Sequence, residues 1–358
     1  MSPFLWNVLI NDFLESFNFE FAKAIAYADD TTFVIWSNDT TELSQRITHC
    51  FNAISKWCRQ VKLELSTPKT QILYLHNRPK TSITLNNTVI HPSTAIKILG
   101  LYFANHRHRS KIDFNYHVQQ ILTKCQRIKN ALFALCSRTW GIDYRKRIIL
   151  VKSLIRPVIT YGATIWFKFI NTSNVNKLNS FQYQVLLRSV FAYKTTSSNC
   201  VHLLANIPKL SDYIQLLIIN HDNRTSTTRA VQHTTNRLYY QQCFTRYLQD
   251  SNDIFQTFFP QGIPHFFTPN KYNTLFVTGH GPFKVFLNKV DPITHPTSLC
   301  TCEHEQTSLH LLIDCPYTKH IVDKYFPTRD ANTFTSNQIN CLKFSHLCKH
   351  ILNFLHNQ

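Results

Sequence analysis

Phe21-Ala22-Lys23-Ala24-Ile25-Ala26-Tyr27-Ala28-Asp29-Asp30-Thr31-Thr32-Phe33-Val34-Ile35-Trp36 holds two β-prone runs on either side of two adjacent acids. Runs rich in Ile, Val, Phe, Tyr and Thr, broken by a short turn, predict a hairpin. Its strands are expected at 21–27 and 31–36, joined through Ala28, Asp29 and Asp30. Two carboxylates at such a tip repel each other unless a cation or hydrogen bonds hold them. By residue type alone, the pair reads as two turn formers. The neighbouring sequence has to decide.

Upstream, Phe4, Leu5, Val8, Leu9, Asp12 and Phe13 recur at helical spacing and predict an amphipathic helix over 4–17. Downstream, Leu43, Ile47, Phe51, Ile54 and Trp57-Cys58 form an apolar stripe. It predicts a helix over 41–61, capped by Thr40 or Thr41. Short strands are expected at 71–76, 82–90 and 96–103. Val118, Ile121, Leu122, Cys125, Ile128, Leu132 and Leu135 then mark a further helix, with Lys124, Arg127 and Lys129 between them. A helix from Asp143 to Leu154 carries Arg145, Lys146 and Arg147 in its first turns, where positive charge opposes the helix dipole. That placement suggests a use for them outside the helix. Polar stretches at 195–199 and 220–228 read as loops, and 338–355 as one more amphipathic helix.

The 358-residue chain has 38 Lys and Arg against 20 Asp and Glu, a formal net charge of +18. Such an excess bears on partners rather than fold, and a polyanion, nucleic acid first, is the natural one. It is concentrated between Arg107 and Arg156, where 12 basic residues face two acidic ones, Asp113 and Asp143. With 44% hydrophobic and 16% charged residues, the composition excludes wholesale disorder. Eleven cysteines lack the regular spacing of a small secreted scaffold. No secretory signal is visible, and no run reaches the roughly 18 apolar residues of a membrane span. A reducing intracellular setting without a membrane partner is expected, with nucleus or cytoplasm left open.

Tyr27-Ala28-Asp29-Asp30 between hydrophobic strands resembles the Y-x-D-D motif of reverse transcriptases. The flanking segments agree in order. Ser2-Pro3-Phe4-Leu5-Trp6-Asn7 with Ile10-Asn11-Asp12 resembles the end of motif B in non-LTR retrotransposon polymerases of the LINE type. Leu65-Ser66-Thr67-Pro68-Lys69-Thr70 is similar to motif D, and Ile98-Leu99-Gly100-Leu101 to the primer-grip turn. The segment Ile155-Arg156-Pro157-Val158-Ile159-Thr160-Tyr161-Gly162 looks like the end of the thumb. The resemblance implies an RNA-directed DNA polymerase using an RNA template, a DNA primer and dNTPs. Asp29 and Asp30 would hold Mg²⁺ in a two-metal site, beside Tyr27 and Ala28. Lys69 would protonate the pyrophosphate leaving group. Leu99 and Gly100 would touch the primer. Lys124, Arg127, Lys129, Arg145, Lys146 and Arg147 would contact the duplex backbone.

The departures matter as much. The family's first metal-binding aspartate precedes motif B, where this chain opens, and Asp12 is the only Asp before Tyr27. Mg²⁺ wants near-octahedral oxygen ligation, so the two-metal site is incomplete and an N-terminally truncated copy is expected. A catalytically inactive nucleic-acid-binding remnant is the alternative function. No RNase H is expected either. Residues 168–290 contain no glutamate, and Asp212, Asp222, Asp250 and Asp253 lack a T-D-G-S context.

Near the C-terminus, Cys300-x-Cys302, His310 and Cys315 set three thiols and an imidazole in 16 residues. Spacing alone leaves two readings open: Zn²⁺ in a tetrahedral site, or buried thiols beside a helix histidine. His304 is an alternative fourth ligand, and His280 a residue that caps local turns. With Thr278-Gly279-His280-Gly281-Pro282-Phe283 and His310-Leu311-Leu312, the cluster resembles the tail of jockey-like elements, which implies structural zinc. The expected architecture is α+β. A partial right-hand palm, antiparallel and helix-backed, covers 1–105 and a helical thumb 106–168. A helical connection region follows over 169–295, then a Cys/His tail over 296–358.

Overall fold

The computed structural model describes residues 3–75, 82–85, 88–105, 112–137, 141–224, 228–327 and 330–356. Ser2, the end of the 71–76 run, the middle of the 82–90 run and the cations Arg107, Arg109, Lys111 and Arg138 lie outside them. The chain divides into two compact units, Met1–His117 and Val118–Gln358. The class is α+β, with small antiparallel sheets in the first unit and helices throughout the second.

In the first unit, α1 (Pro3–Ser16), the β1 (Ala22–Tyr27)–β2 (Asp30–Ile35) hairpin and α2 (Thr40–Gln60) enclose one core. Ile10, Phe13 and Phe17 meet Ala22, Cys50, Ile54, Trp57 and Cys58 there. Phe13 packs on Trp57 with ring centroids 5.2 Å apart and Phe17 on Phe33 at 5.0 Å. Phe13, fully buried among them, contributes about 2 kcal/mol. The helix over 4–17 forms as expected, but Phe4, Leu5 and Val8 are exposed. A helix apolar nearly all round can turn only one stripe to this core. The cap of α2 also differs from expectation. Asp39, not Thr40 or Thr41, accepts from Glu42 N at 2.8 Å, because helical backbone already begins at Thr40. Such a cap contributes about 1 kcal/mol.

The later strands are shorter than their sequence runs. Strands β3 (Ile83–Leu85) and β4 (Thr88–Ile90) pair with each other. In the 71–76 run, Ile72 makes only an isolated bridge with Pro92. A three-stranded sheet joins β5 (Ala95–Ile98), β6 (Leu101–Asn105) and β7 (Ile112–Asp113).

Helix α3 (Asn115–Leu135) leads into the second unit, where Val118, Ile121, Cys125 and Leu132 are its buried stripe. Next come α4 (Tyr144–Leu150), a π turn (Val151–Ile155) and α5 (Arg156–Thr160), so the helical run outlasts the expected end at Leu154. Pro157 has no N–H for the carbonyl four residues back, and the wider π turn accommodates its ring. Then follow α6 (Ala163–Trp166), α7 (Thr172–Ser189), α8 (Ser198–Ala205), α9 (Leu210–Asp222), α10 (Arg229–Gln249) and α11 (Asp253–Phe258). The polar loops are thus shorter than expected. Ser197 Oγ caps α8 by accepting from Cys200 N, and α9 runs through Asp222. The unit ends with α12 (Asn273–Thr278), α13 (Lys284–Val290), α14 (Ser308–Ile313), α15 (Lys319–Asp323), α16 (Ala331–Thr335) and α17 (Gln338–His356). Its interior is aromatic. Phe344 of α17 stacks on Phe334 at 5.5 Å and lies 5.6 Å from Phe258, all three fully buried.

Among the described residues no single helix is long and apolar enough to cross a membrane. One pair, Tyr144–Thr160 with Ala163–Phe169, passes by length and composition but is bent by 47°.

Candidate functional site

Strands β1 and β2 pair from Ala22 opposite Ile35 to Tyr27 opposite Asp30, leaving Ala28 and Asp29 alone in the turn. Asp30 is therefore the first residue of a strand rather than part of the link. Two-residue hairpin turns favour positive φ, and Ala28 sits at φ 52. For an L-residue with a side chain that conformation costs about 1 kcal/mol. Trp6 on α1 stands against this turn and donates its indole N–H to the Ala28 carbonyl at 2.7 Å. Strand alternation keeps Ala22, Ala24 and Ala26 toward the core, and it leaves Lys23, Ile25 and Tyr27 outside. Tyr27, Ala28, Asp29 and Asp30 are all exposed.

Lys69 closes a 3₁₀ turn that begins at Thr67, its N–H donating to Ser66 O at 3.1 Å, and its side chain is exposed. Leu99 and Gly100 form the two-residue turn between β5 and β6, at φ 45 and 86. Gly100 takes the left-handed conformation without a Cβ penalty, whereas Leu99 is held there beside it. Asp12 is engaged elsewhere, its Oδ2 accepting from Trp57 Nε1 at 3.2 Å. Among the described residues, no third Asp, Glu, His or Cys joins Asp29 and Asp30 in a metal-sized group. Two adjacent carboxylates fit the hard oxygen preference of Mg²⁺ but fall short of its coordination number.

Residues 1–103 match the family described as reverse transcriptase (RNA-dependent DNA polymerase). Across 90% of its length the chain is 24% identical to a Retrovirus-related Pol polyprotein from the type-1 retrotransposable element R1 of Bradysia coprophila. Its first 103 residues are thus similar to reverse transcriptases, and most of its length is similar to proteins of type-1 retrotransposable elements. A second relative, a 115 kDa protein of element R1DM from Drosophila melanogaster, is 21% identical over 88% of the chain. The match spans 34% of the first relative and 33% of the second, about a third of the length of these curated relatives. No solved structure matches.

The candidate phosphate-binding cations divide by orientation. Lys124, Arg127, Arg145 and Lys146 are exposed. Lys129 and Arg147 are buried, contrary to the expectation that they face a duplex. Lys129 Nζ donates to Gln184 Oε1 at 3.0 Å and lies over the Phe181 ring at 5.5 Å. Burial, reinforced by Arg188, lowers its pKa. Arg147 donates to Ile142 O at 2.6 Å and to Arg188 O at 2.7 Å, and it stacks on Phe191 at 4.4 Å. Asp143 answers the dipole problem from within: its carboxylate accepts from Lys146 N at 3.1 Å and lies 3.6 Å from Lys146 Nζ.

The Cys/His cluster is a different kind of site. Ligand atoms of Cys300, Cys302, His310 and Cys315 all lie within 4.8 Å of one another, and Cys302 alone of the four is partly exposed. Cys300 and Cys302 ride a tight turn in which Cys300 N donates to His304 O at 2.7 Å and Glu303 adopts φ 69. His310 and Cys315 flank the end of α14, where Cys315 N donates to His310 O at 2.8 Å. Cys300 and Cys315 sulfurs stand 3.8 Å apart, and Cys302 Sγ lies 3.1 Å from His310 Nε2. A tetrahedron with metal–sulfur bonds of about 2.3 Å has sulfur–sulfur edges of about 3.8 Å. His304, the alternative ligand, instead turns Nδ1 to the Cys302 carbonyl at 2.8 Å. His280 likewise stays apart, its Nδ1 2.8 Å from Thr195 Oγ1.

Electrostatics pull the cluster two ways: burial and the neighbouring Cys300 and Cys315 raise the Cys302 thiol, whereas Cys300 and His310 shift toward their ligating forms. Burial opposes a thiolate at Cys300, but hydrogen bonds from the Cys302 backbone, the Gln306 amide and the neighbouring thiols outweigh it and lower its pKa. Burial also lowers His310, favouring the neutral imidazole that binds metals.

Three supporting residues escaped the sequence reading. Trp6 fixes the hairpin turn. Thr307 caps α14 by accepting from His310 N at 3.0 Å. Gln306 directs its amide nitrogen at Cys300 Sγ, 3.8 Å away, while its Oε1 accepts from Lys284 N at 3.1 Å. A Thr three residues before a ligand histidine at a helix start was a readable cap signal. For Trp6 no sequence signal existed, because its partner Ala28 lies 22 residues away along the chain, and Gln306 is likewise fixed by Lys284, 22 residues back, before its amide reaches Cys300.

Proposed function

We propose that the first unit supplies the Y-x-D-D hairpin of an RNA-directed DNA polymerase that extends a DNA primer on an RNA template. The observation that carries this reading is the Tyr27-Ala28-Asp29-Asp30 tip, exposed on a two-residue turn inside the matched residues 1–103. Bound Mg²⁺ would activate the primer 3′-hydroxyl and neutralise the triphosphate of the incoming dNTP. Asp29 and Asp30 hold that charge at the tip, and Tyr27 and Ala28 border the nucleotide. Lys69 presents a proton to the pyrophosphate leaving group, and the Leu99-Gly100 turn steadies the primer end. The helices over 106–168 act as a thumb, with Lys124, Arg127, Arg145 and Lys146 on duplex phosphates.

The cluster at Cys300, Cys302, His310 and Cys315 takes Zn²⁺. Three soft thiolates and one imidazole suit that ion, and with four protein ligands no position is left for a reacting water. Its role is structural.

The absence of a third acidic group beside Asp29 and Asp30, among the described residues, favours a second reading. The chain alone then binds nucleic acid without synthesis. Incorporation of dTTP on poly(rA)·oligo(dT) with Mg²⁺ separates the two. Synthesis abolished by Asp29→Ala establishes the polymerase. Tight template binding with no incorporation establishes the binding role.

A further inference from the structure

Helix α7 carries an exposed polar stripe at a spacing of three and four residues: Ser173, Asn176, Lys177, Ser180, Gln184 and Arg188. Toward α3 most of this stripe borders a groove of about 520 Å³, completed by Leu122 and Gln126 and floored by Phe181. Neither α3 nor α7 contains a single Asp or Glu. Beneath the groove lies buried Lys129, an ammonium with no acidic partner among the described residues, donating to Gln184 Oε1. That bond occupies the Gln184 carbonyl and leaves its NH₂ as a donor. Gln126 is set the other way, its Nε2 donating to Asn130 Oδ1 at 3.0 Å, so its carbonyl remains an acceptor. Arg188 is pinned across to α3, its guanidinium 4.0 Å over the Phe133 ring.

We propose that the α3–α7 groove holds a short stretch of single-stranded RNA. The inference rests on the nucleic-acid reading given above and names a second surface for it. Positive potential without acids attracts a phosphodiester chain. Lys177 and the serine hydroxyls suit phosphate and ribose 2′-OH, while fixed amide donors and acceptors suit base edges. Base edges of that kind are free only when unpaired, and Leu122 and Phe181 give a base an apolar surface to rest on. The volume fits a nucleotide or two rather than a helix.

The test uses the full chain and fluorescence anisotropy with a labelled 12-nucleotide RNA, the same sequence as DNA, and an RNA–DNA hybrid. Lys177→Gln should weaken RNA binding several-fold and flatten its log–log salt slope by about 0.7. Ser180→Trp, which fills the groove, should weaken RNA binding at least tenfold while leaving the hybrid unchanged. Should Ser180→Trp fail to fold by circular dichroism, Lys177→Gln, an exposed exchange, decides alone. RNA affinity and salt slope unaltered by these variants overturn the groove, as does equal affinity for the DNA strand. Arg145→Glu with Lys146→Glu distinguishes the two readings. If it weakens the hybrid while the groove variants do nothing, the thumb stands and the groove falls. If neither RNA nor hybrid binds the wild-type chain, the nucleic-acid reading falls with it.

Discussion

At the β1–β2 tip two exposed carboxylates, Asp29 in the turn and Asp30 at the head of β2, adjoin a left-handed Ala28, whereas around Cys300 three thiols and an imidazole meet in a largely buried cluster. The first offers hard ligands on an open surface and leaves most of a metal's coordination to substrate or other groups. The second offers soft ligands in a complete set, held by bonds from Gln306 and Thr307. An open site suits ions that must exchange with each nucleotide. A closed one suits an ion that never leaves. The same division runs through the cations, since Arg145 is free to meet a ligand while Arg147 is consumed by the fold.

Removing a cluster ligand should have the largest effect. Structural zinc contributes on the order of 10 kcal/mol to small modules, so Cys315→Ser should release the metal and unfold the surrounding helices. Metal analysis should give one zinc per wild-type chain and near none in the variant, with an early calorimetric transition. A wild-type protein purified without zinc, and melting identically after chelation, would erase the contrast between the two sites. Next in size is Arg147→Ala. Two charge-assisted hydrogen bonds and a ring contact are lost, an expected destabilisation of about 3 kcal/mol by urea titration. Arg145→Ala should stay within about 0.5 kcal/mol of wild type and instead weaken duplex binding. Equal stability losses in both would show that burial does not separate their roles.

Much of the hairpin was legible because alternation, turn composition and the acid pair all point the same way over sixteen residues. The cluster ligands were legible from spacing, which nevertheless left His304 and His310 as competitors. The choice between them rests on Thr307 capping α14 and on the Cys302 carbonyl occupying His304. Lys129 and Arg147 were misread for a physical reason. Helical period reports which face a residue occupies, but long cationic stems fold inward when partners arrive from elsewhere. Gln184, Phe181, Arg188 and Phe191 all come from α7 or just beyond it, at least 41 residues along the chain. The exposed Phe4, Leu5 and Val8 were hidden likewise, since amphipathicity shows that a helix has an apolar stripe but not how wide a stripe the core can accept.

The smallest expected effect bears most directly on the hairpin. Ala28 holds a left-handed conformation that is unfavourable for alanine, and the Trp6 indole donates to its carbonyl. Trp6→Phe keeps the ring and removes the donor, so the hairpin should lose about 1 kcal/mol. Ala28→Gly relieves the strain and should offset most of that loss when combined with Trp6→Phe, although glycine also gains freedom in the unfolded chain. Urea titrations of the two single variants and the double variant form a thermodynamic cycle. A coupling term near 1 kcal/mol makes Trp6 the residue that positions the carboxylate-bearing turn. Strict additivity, with Trp6→Phe as stable as wild type, would mean that strand pairing alone holds Ala28 left-handed. The open site would then need no support from α1.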